Sequence, residues 1–134
     1  MNVVLDASSV IAFLRGEPGA AVVERYFGHE TDSLYMHALN LCEVYYDFLR
    51  AAGETSAEDA VQDILLLGVR ERNDMTPDFW RAVGKLKAEH RRVSLADCCA
   101  LALARSLGAV ILSADRHELE PLARDSVCSV EFIR

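Results

Sequence analysis

The chain is short of positive charge. Fourteen Lys and Arg residues stand against 21 Asp and Glu, giving a net charge of -7 and a pI near 5.0. Its only lysines are Lys85 and Lys87. A protein that holds nucleic acid by an overall positive field is therefore excluded, because phosphate affinity comes mainly from Lys and Arg. A nuclease whose acids are partly neutralised by bound metal is not excluded. The four cysteines, Cys42, Cys98, Cys99 and Cys128, include no pair with a two-residue gap, which removes the zinc-ribbon and redox-motif readings. Cys98 and Cys99 fall within an apolar helical pattern and read as small core residues. With no run of 18 apolar residues and no charged-then-apolar leader, the expectation is a cytoplasmic protein without membrane contact. Repeats, linkers and low-complexity tracts are also missing.

What is present is 134 residues, 51% of them hydrophobic, the size of one ordinary domain running from residue 1 to 134. The stretch that organises it is Val3-Val4-Leu5-Asp6-Ala7-Ser8-Ser9. Three aliphatic residues predict a buried strand, and the small polar residues after Asp6 predict a strand-to-helix turn. Further along, the pattern predicts helices over Ser9–Leu14, Ala20–Phe27, Ala38–Ala52 and, with Ser56 as its cap, Ala57–Leu67. Ser33–Met36 reads as a short strand and Val69–Asn73 as a polar edge strand. Thr76 and Pro77 open a helix whose second half carries the basic strip Arg81 to Arg92. Ser94 opens a buried helix ending at Gly108, and Ala109–Leu112 is a second buried strand that again runs into small polar residues and an acid, Ser113-Ala114-Asp115. From Pro121 the chain reads as loose until a last strand at Ser129–Ile133. Strands alternating with helices predict an α/β fold, a mostly parallel sheet of four to five strands covered on both faces.

Two strand ends thus present Asp6 and Asp115 at the edge where α/β sheets open their ligand crevice. Asp97 lies in the first turn of the helix entering the second of these strands, so it starts from that edge too. Glu43 lies near the start of another helix, on a narrow polar stripe of Asn40, Glu43, Asp47 and Arg50 at spacings of three, four and three. Taken singly, each acid has an ordinary reading: Asp6 as a helix cap, Asp97 and Asp115 as capping-box members, Glu43 as a solvated side chain. Four carboxylates converging on one sheet edge is what those readings do not predict. Crowded carboxylates repel and raise one another's pKa unless protons or metal ions neutralise them. An all-oxygen set suits Mg²⁺ or Mn²⁺, ions that bridge phosphate oxygens in phosphodiester hydrolysis.

The order strand-Asp6-Ala-Ser-Ser, Asn40-Leu-Cys-Glu43, Ser94-Leu-Ala-Asp97 and Leu112-Ser-Ala-Asp115 resembles the PIN-domain family, in particular the VapC-type ribonuclease toxins of toxin-antitoxin pairs. The resemblance covers essentially the whole chain. It implies a PIN-like three-layer α/β/α sandwich and a Mg²⁺- or Mn²⁺-dependent endoribonuclease. It also implies that Asp6, Glu43, Asp97 and Asp115 form the acidic quartet that holds the metal, with Ser8 and Ser113 as supporting hydroxyls. An RNA substrate, a cognate VapB-type antitoxin and a homodimer follow from the same resemblance. Tyr45, Tyr46, Phe48 and Leu49, with Ile64 to Leu67 opposite, offer a groove for an amphipathic partner helix; packing of the core or of a homodimer is the competing reading of those residues. The sequence departs from the family only in placing Cys98-Cys99 after the third acid.

Three other classes compete for the same residues. Phosphatases that use a strand-end Asp want a second acid two residues on, where this chain has Ser8, and receivers want a strand-end Lys, whereas Lys85 and Lys87 both fall inside a helix. A flap-nuclease-like activity would call for extra helices and a more basic surface. A catalytically inactive PIN-fold binding or regulatory protein is the remaining alternative, and the intact quartet argues against it.

Overall fold

The computed structural model describes residues 1–134. Five strands form one sheet: β1 (Asn2–Leu5), β2 (Ser33–His37), β3 (Arg70–Arg72), β4 (Val110–Ser113) and β5 (Val130–Phe132). Their order is β3-β2-β1-β4-β5, and every neighbouring pair is parallel. Between the strands run α1 (Ala7–Leu14), α2 (Ala20–Glu24), α3 (Ala38–Ala52), α4 (Glu54–Leu66), α5 (Pro77–Glu89), α6 (Leu95–Leu107) and α7 (Arg116–Arg124). The architecture is the three-layer α/β/α sandwich expected from the alternation of elements.

Both faces of the sheet are covered, which explains the uninterrupted apolar runs of the central strands. Along β1 the side chains alternate between two cores: Val3 and Leu5 join the cluster under α1 to α4, while Val4 joins the one under α5 to α7. Leu112 and Ile111 of β4 divide in the same way. Pairing of Leu5 with Leu112 in β1 and β4 brings the following residues, Asp6 and Ser113, to the same edge.

Local expectations are corrected at three points. The fourth helix begins at Glu54, and Ser56 lies inside its first turn rather than capping it. Gly53 takes φ 92°, a conformation costly for a side chain, and so ends α3 and starts α4 with no linker between them. The segment from Pro121 is not loose, because α7 runs through it. Asp115 caps that helix by accepting the Glu118 N–H at 3.0 Å, and Leu119 and Leu122 are buried beneath it. These outweigh the loss of the one amide that Pro121 cannot supply. The second helix is also shorter than predicted, ending at Glu24 before turns that lead to Gly28.

No helix is long and apolar enough to cross a membrane.

Candidate metal centre at the carboxyl edge of the sheet

Asp6 is 1% exposed. As the N-cap of α1 it accepts the Ser9 N–H at 2.8 Å, and its two oxygens take the Ser8 hydroxyl at 2.8 and 2.9 Å and the Ser113 hydroxyl as well. All of these donors are neutral. Burial therefore dominates and pushes the carboxyl above its ordinary range, against the opposing pull of the Ser113, Ser9 and Ser8 hydrogen bonds. The two supporting hydroxyls named from the sequence stand against this carboxylate. Each also accepts a backbone amide from the β4–α7 turn, Ser8 from Ala114 and Ser113 from Asp115.

Asp97 is held in the first turn of α6, where its N–H bonds the Ser94 hydroxyl at 3.1 Å. Its carboxyl is pushed up to about 9, first by burial and then by a hydrogen bond with Glu118 and the charges of Asp6, Glu118 and Glu43. Glu43, half-buried on α3, is raised by burial and by the charges of Asp6 and Glu118. Carboxylate oxygens of Asp97, Asp115 and Glu118 lie within 4.8 Å of one another. The four acids named from the sequence thus fall into two sets. Asp97 and Asp115 share a tight cluster, and Asp6 and Glu43 act on it through the field that they impose on Asp97 and, in Asp6's case, on Glu43.

Glu118 is the member that sequence reasoning missed as a site residue. It lies three residues beyond Asp115, and that spacing is the signal that could have found it, since a residue one turn beyond a strand-end acid remains at the same edge. In the structure Glu118 also accepts the Ser94 N–H at 3.4 Å, reaching from α7 to the start of α6. Asp6, Asp115 and Glu118 therefore satisfy amides at the N-termini of α1, α7 and α6, whose partial positive ends offset some of the repulsion among the acids.

None of the eight ion pairs in the structure involves any of the five acids. An all-oxygen, carboxylate-rich set without a basic partner fits a hard divalent cation such as Mg²⁺ or Mn²⁺.

The rest of the polar stripe on α3 is used structurally. Asn40, fully buried, donates from Nδ2 to the Ala96 carbonyl at 3.2 Å, joining α3 to α6 one residue before Asp97. Asp47 pairs with Arg15, the C-cap of α1, at 2.6 Å and with Arg50 at 3.6 Å. The basic strip of α5 also divides. Lys87 donates to the Arg91 and Val93 carbonyls and so fastens the α5–α6 connection. Arg81 and Lys85 face a groove of about 590 Å³ that also holds Arg105, Asp78 and Glu89.

The proposed partner groove is only partly available. Ile64 is fully buried and Phe48 packs against the core, whereas Tyr46, Leu49 and Leu65 to Leu67 are exposed, Leu66 at 76%. Beside them Phe13, Leu14, Leu66 and Leu67, together with Asp63, line a mostly apolar notch of about 370 Å³.

Residues 3–124 match the PIN domain family. No curated protein matches the chain in sequence. Among solved structures, one similar chain comes from VapBC-1 of nontypeable Haemophilus influenzae, with a TM-score of 0.72 at 18% identity over 99% of this chain and 98% of that one. A second is Mycobacterium tuberculosis VapC20, a sarcin-ricin-loop-cleaving toxin, with a TM-score of 0.71 at 18% identity over 89% and 94%. A third belongs to a toxin-antitoxin complex from Klebsiella pneumoniae, with a TM-score of 0.72 at 14% identity over 98% of both chains.

Proposed function

Because the chain belongs to the PIN-domain family, we propose that it is a Mg²⁺- or Mn²⁺-dependent endoribonuclease and the toxin of a VapBC-type toxin-antitoxin module, acting in the cytoplasm as a single PIN domain. The observation that carries the reading is the set of carboxylates at one sheet edge with no cation paired to them. Asp6, Glu43, Asp97 and Asp115 would hold the metal, and Glu118 joins them. The ion, when bound, would supply charge neutralisation of the scissile phosphate and a more acidic water.

The protein's own groups then have separable tasks. Asp6 is fixed on three sides by Ser8, Ser9 and Ser113, which hold its oxygens in one orientation before any ion arrives. Asp97, raised by burial, by Glu118 and by the charges of Asp6 and Glu43, keeps its proton to higher pH than an ordinary Asp while no ion is there. Loss of that proton makes the Asp97 oxygens available as ligands. The N-termini of α1, α6 and α7 add donors at the same edge, where the phosphate of an RNA strand would approach.

Similar structures include toxin-antitoxin complexes, and a cognate VapB-type antitoxin and a homodimer are proposed as partners here too. The antitoxin is assigned to the notch between Phe13, Leu14, Leu66 and Leu67, which takes the apolar face of an amphipathic helix.

The test is RNA end mapping with purified protein, with and without EDTA. Cleavage that leaves a 5′-phosphate, stops in EDTA and returns with Mg²⁺ or Mn²⁺ is expected, as is its loss in Asp6→Asn. An Asp6→Asn protein that cuts as fast as the wild type sinks the assignment. A protein that binds RNA without cutting it, in any metal, establishes the inactive PIN-fold binding protein instead.

A further inference from the structure

His37 closes β2 and is the N-cap of α3. Caps are usually Ser, Thr, Asp or Asn, whose short side chains accept one helix amide. Here the imidazole Nδ1 accepts the Leu39 N–H at 3.1 Å, while Nε2 lies 2.9 Å from the Asp74 carbonyl oxygen. The partners fix the tautomer. A backbone amide can only donate and a carbonyl can only accept, so Nδ1 is bare and Nε2 carries the hydrogen. The ring is 2% exposed and stacks on Phe79 of α5, with centroids 5.4 Å apart and planes 4° from parallel. Asp74 does not compete for the ring through its carboxylate, because both of its oxygens are taken by Arg72 at 2.9 Å.

One buried ring therefore joins the end of β2, the first turn of α3, the β3–α5 connection and α5. A Ser or Asp cap would satisfy the α3 amide but would not reach Asp74. Three residues on, Asn40 ties the same turn of α3 to Ala96, beside Asp97. Glu43 follows Asn40 by three and so lies on the same face. The start of α3 is thus anchored toward α5 by His37 and toward α6 by Asn40, and the placement of Glu43 relative to Asp97 depends on both anchors.

We propose that His37 is a positioning residue for the metal centre, its neutral Nε2–H imidazole setting where α3 begins and holding Glu43 opposite Asp97. This rests on the metal reading given above. Long-range ¹H–¹⁵N correlation of the full chain is expected to show a bare Nδ1 and a protonated Nε2; a ring with a protonated Nδ1 overturns the proposal.

Function is read by Mn²⁺ titration without RNA. His37→Phe keeps the ring volume and the stacking on Phe79 but loses both hydrogen bonds, and in protein shown folded by circular dichroism it should bind Mn²⁺ about tenfold more weakly. His37→Asn keeps a cap acceptor, loses the Asp74 tie, and should fall between, about threefold weaker; it decides the matter if His37→Phe does not fold. Adding Glu43→Gln to either variant should cost much less than it does in the wild type, since His37 acts through Glu43. Wild-type affinity in the folded variants, or fully additive losses, overturns the proposal while leaving the metal site intact. A wild type that binds no Mn²⁺ overturns the metal reading and this inference with it.

Discussion

Ser113, at the end of β4, donates its hydroxyl to the carboxylate of Asp6, 107 positions earlier at the end of β1. The same oxygen accepts the Asp115 N–H at 2.9 Å, so one hydroxyl sets the orientation of one acid and the backbone of another. Removing it in Ser113→Ala leaves Asp6 with Ser8 and Ser9 and leaves the Asp115 amide without its partner. The expected loss is about 1–2 kcal/mol of stability, read by urea unfolding, and about tenfold or more in Mn²⁺ affinity, read by titration calorimetry. Unchanged metal affinity would show that Asp6 does not need to be held in order to bind.

The raised pKa of Asp97 makes a signed prediction about pH. A carboxyl held at about 9 in the folded chain by burial, by Glu118 and by the charges around it takes up its proton far more readily than the unfolded chain does. Its contribution is therefore fully present below the ordinary Asp range and is lost as pH rises through about 9. Asp6 and Glu43 are raised as well, and act in the same direction. Metal-free protein should thus melt at progressively lower temperature from pH 5 to pH 9, and saturating Mg²⁺ should flatten the decline. Asp97→Asn should raise the metal-free Tm at pH 8 by roughly 3–8 °C and abolish cleavage. A metal-free Tm that climbs with pH over that range would contradict the unpaired cluster.

Glu118→Gln separates the two uses of this side chain. Its amide oxygen can still accept the Ser94 N–H, so α6 should keep its start, but the negative charge next to Asp97 is gone. Metal affinity should fall about tenfold, while the metal-free protein should be unchanged or slightly more stable because one repulsive partner has been removed. Calorimetric titration with Mn²⁺ alongside thermal unfolding reads both. Wild-type affinity in a folded Glu118→Gln would return Glu118 to a purely structural role.

How far the chain could be read in advance depended on whether a residue's role is set by local pattern. The strands ending in Asp6 and Ser113 were legible because a sheet covered on both faces demands continuous aliphatic runs, and Val3 to Leu5 and Ile111 to Leu112 satisfy it. The start of α4 was not, because Ser56 looks like a cap, whereas the conformation that matters belongs to Gly53. The roles of Asn40 and His37 were hidden for another reason. Each works through a partner distant in the chain, Ala96 or Asp74, and no periodicity encodes such a pairing. The polar stripe on α3 showed one face but not that Asn40 would be buried in it or that Asp47 would pair with Arg15.

The apolar notch tests the antitoxin assignment independently of catalysis. Leu66 is 76% exposed, so its replacement by Asp should cost the fold little. Leu66→Asp should still cleave RNA at the wild-type rate but should no longer co-purify with the product of the neighbouring gene. Retention of the complex would move the partner to another surface.

The groove between α5 and α6 tests where RNA lies. Arg81, Lys85 and Arg105 face it from two helices, and neither Lys85 nor Arg105 is in an ion pair. If the strand crosses them, replacing all three by Ala should raise KM with kcat unchanged, since such cations hold substrate and transition state alike. It should also flatten the salt dependence of binding, by up to about 0.7 in log-log slope for each phosphate of a single strand that is no longer neutralised. Lys87→Ala is the contrasting variant. Its ammonium is spent on the Arg91 and Val93 carbonyls, so its removal should lower Tm and leave the salt slope alone. A triple variant with wild-type KM and slope would place the RNA away from α5, leaving these cations as the solvated face of an otherwise acidic protein.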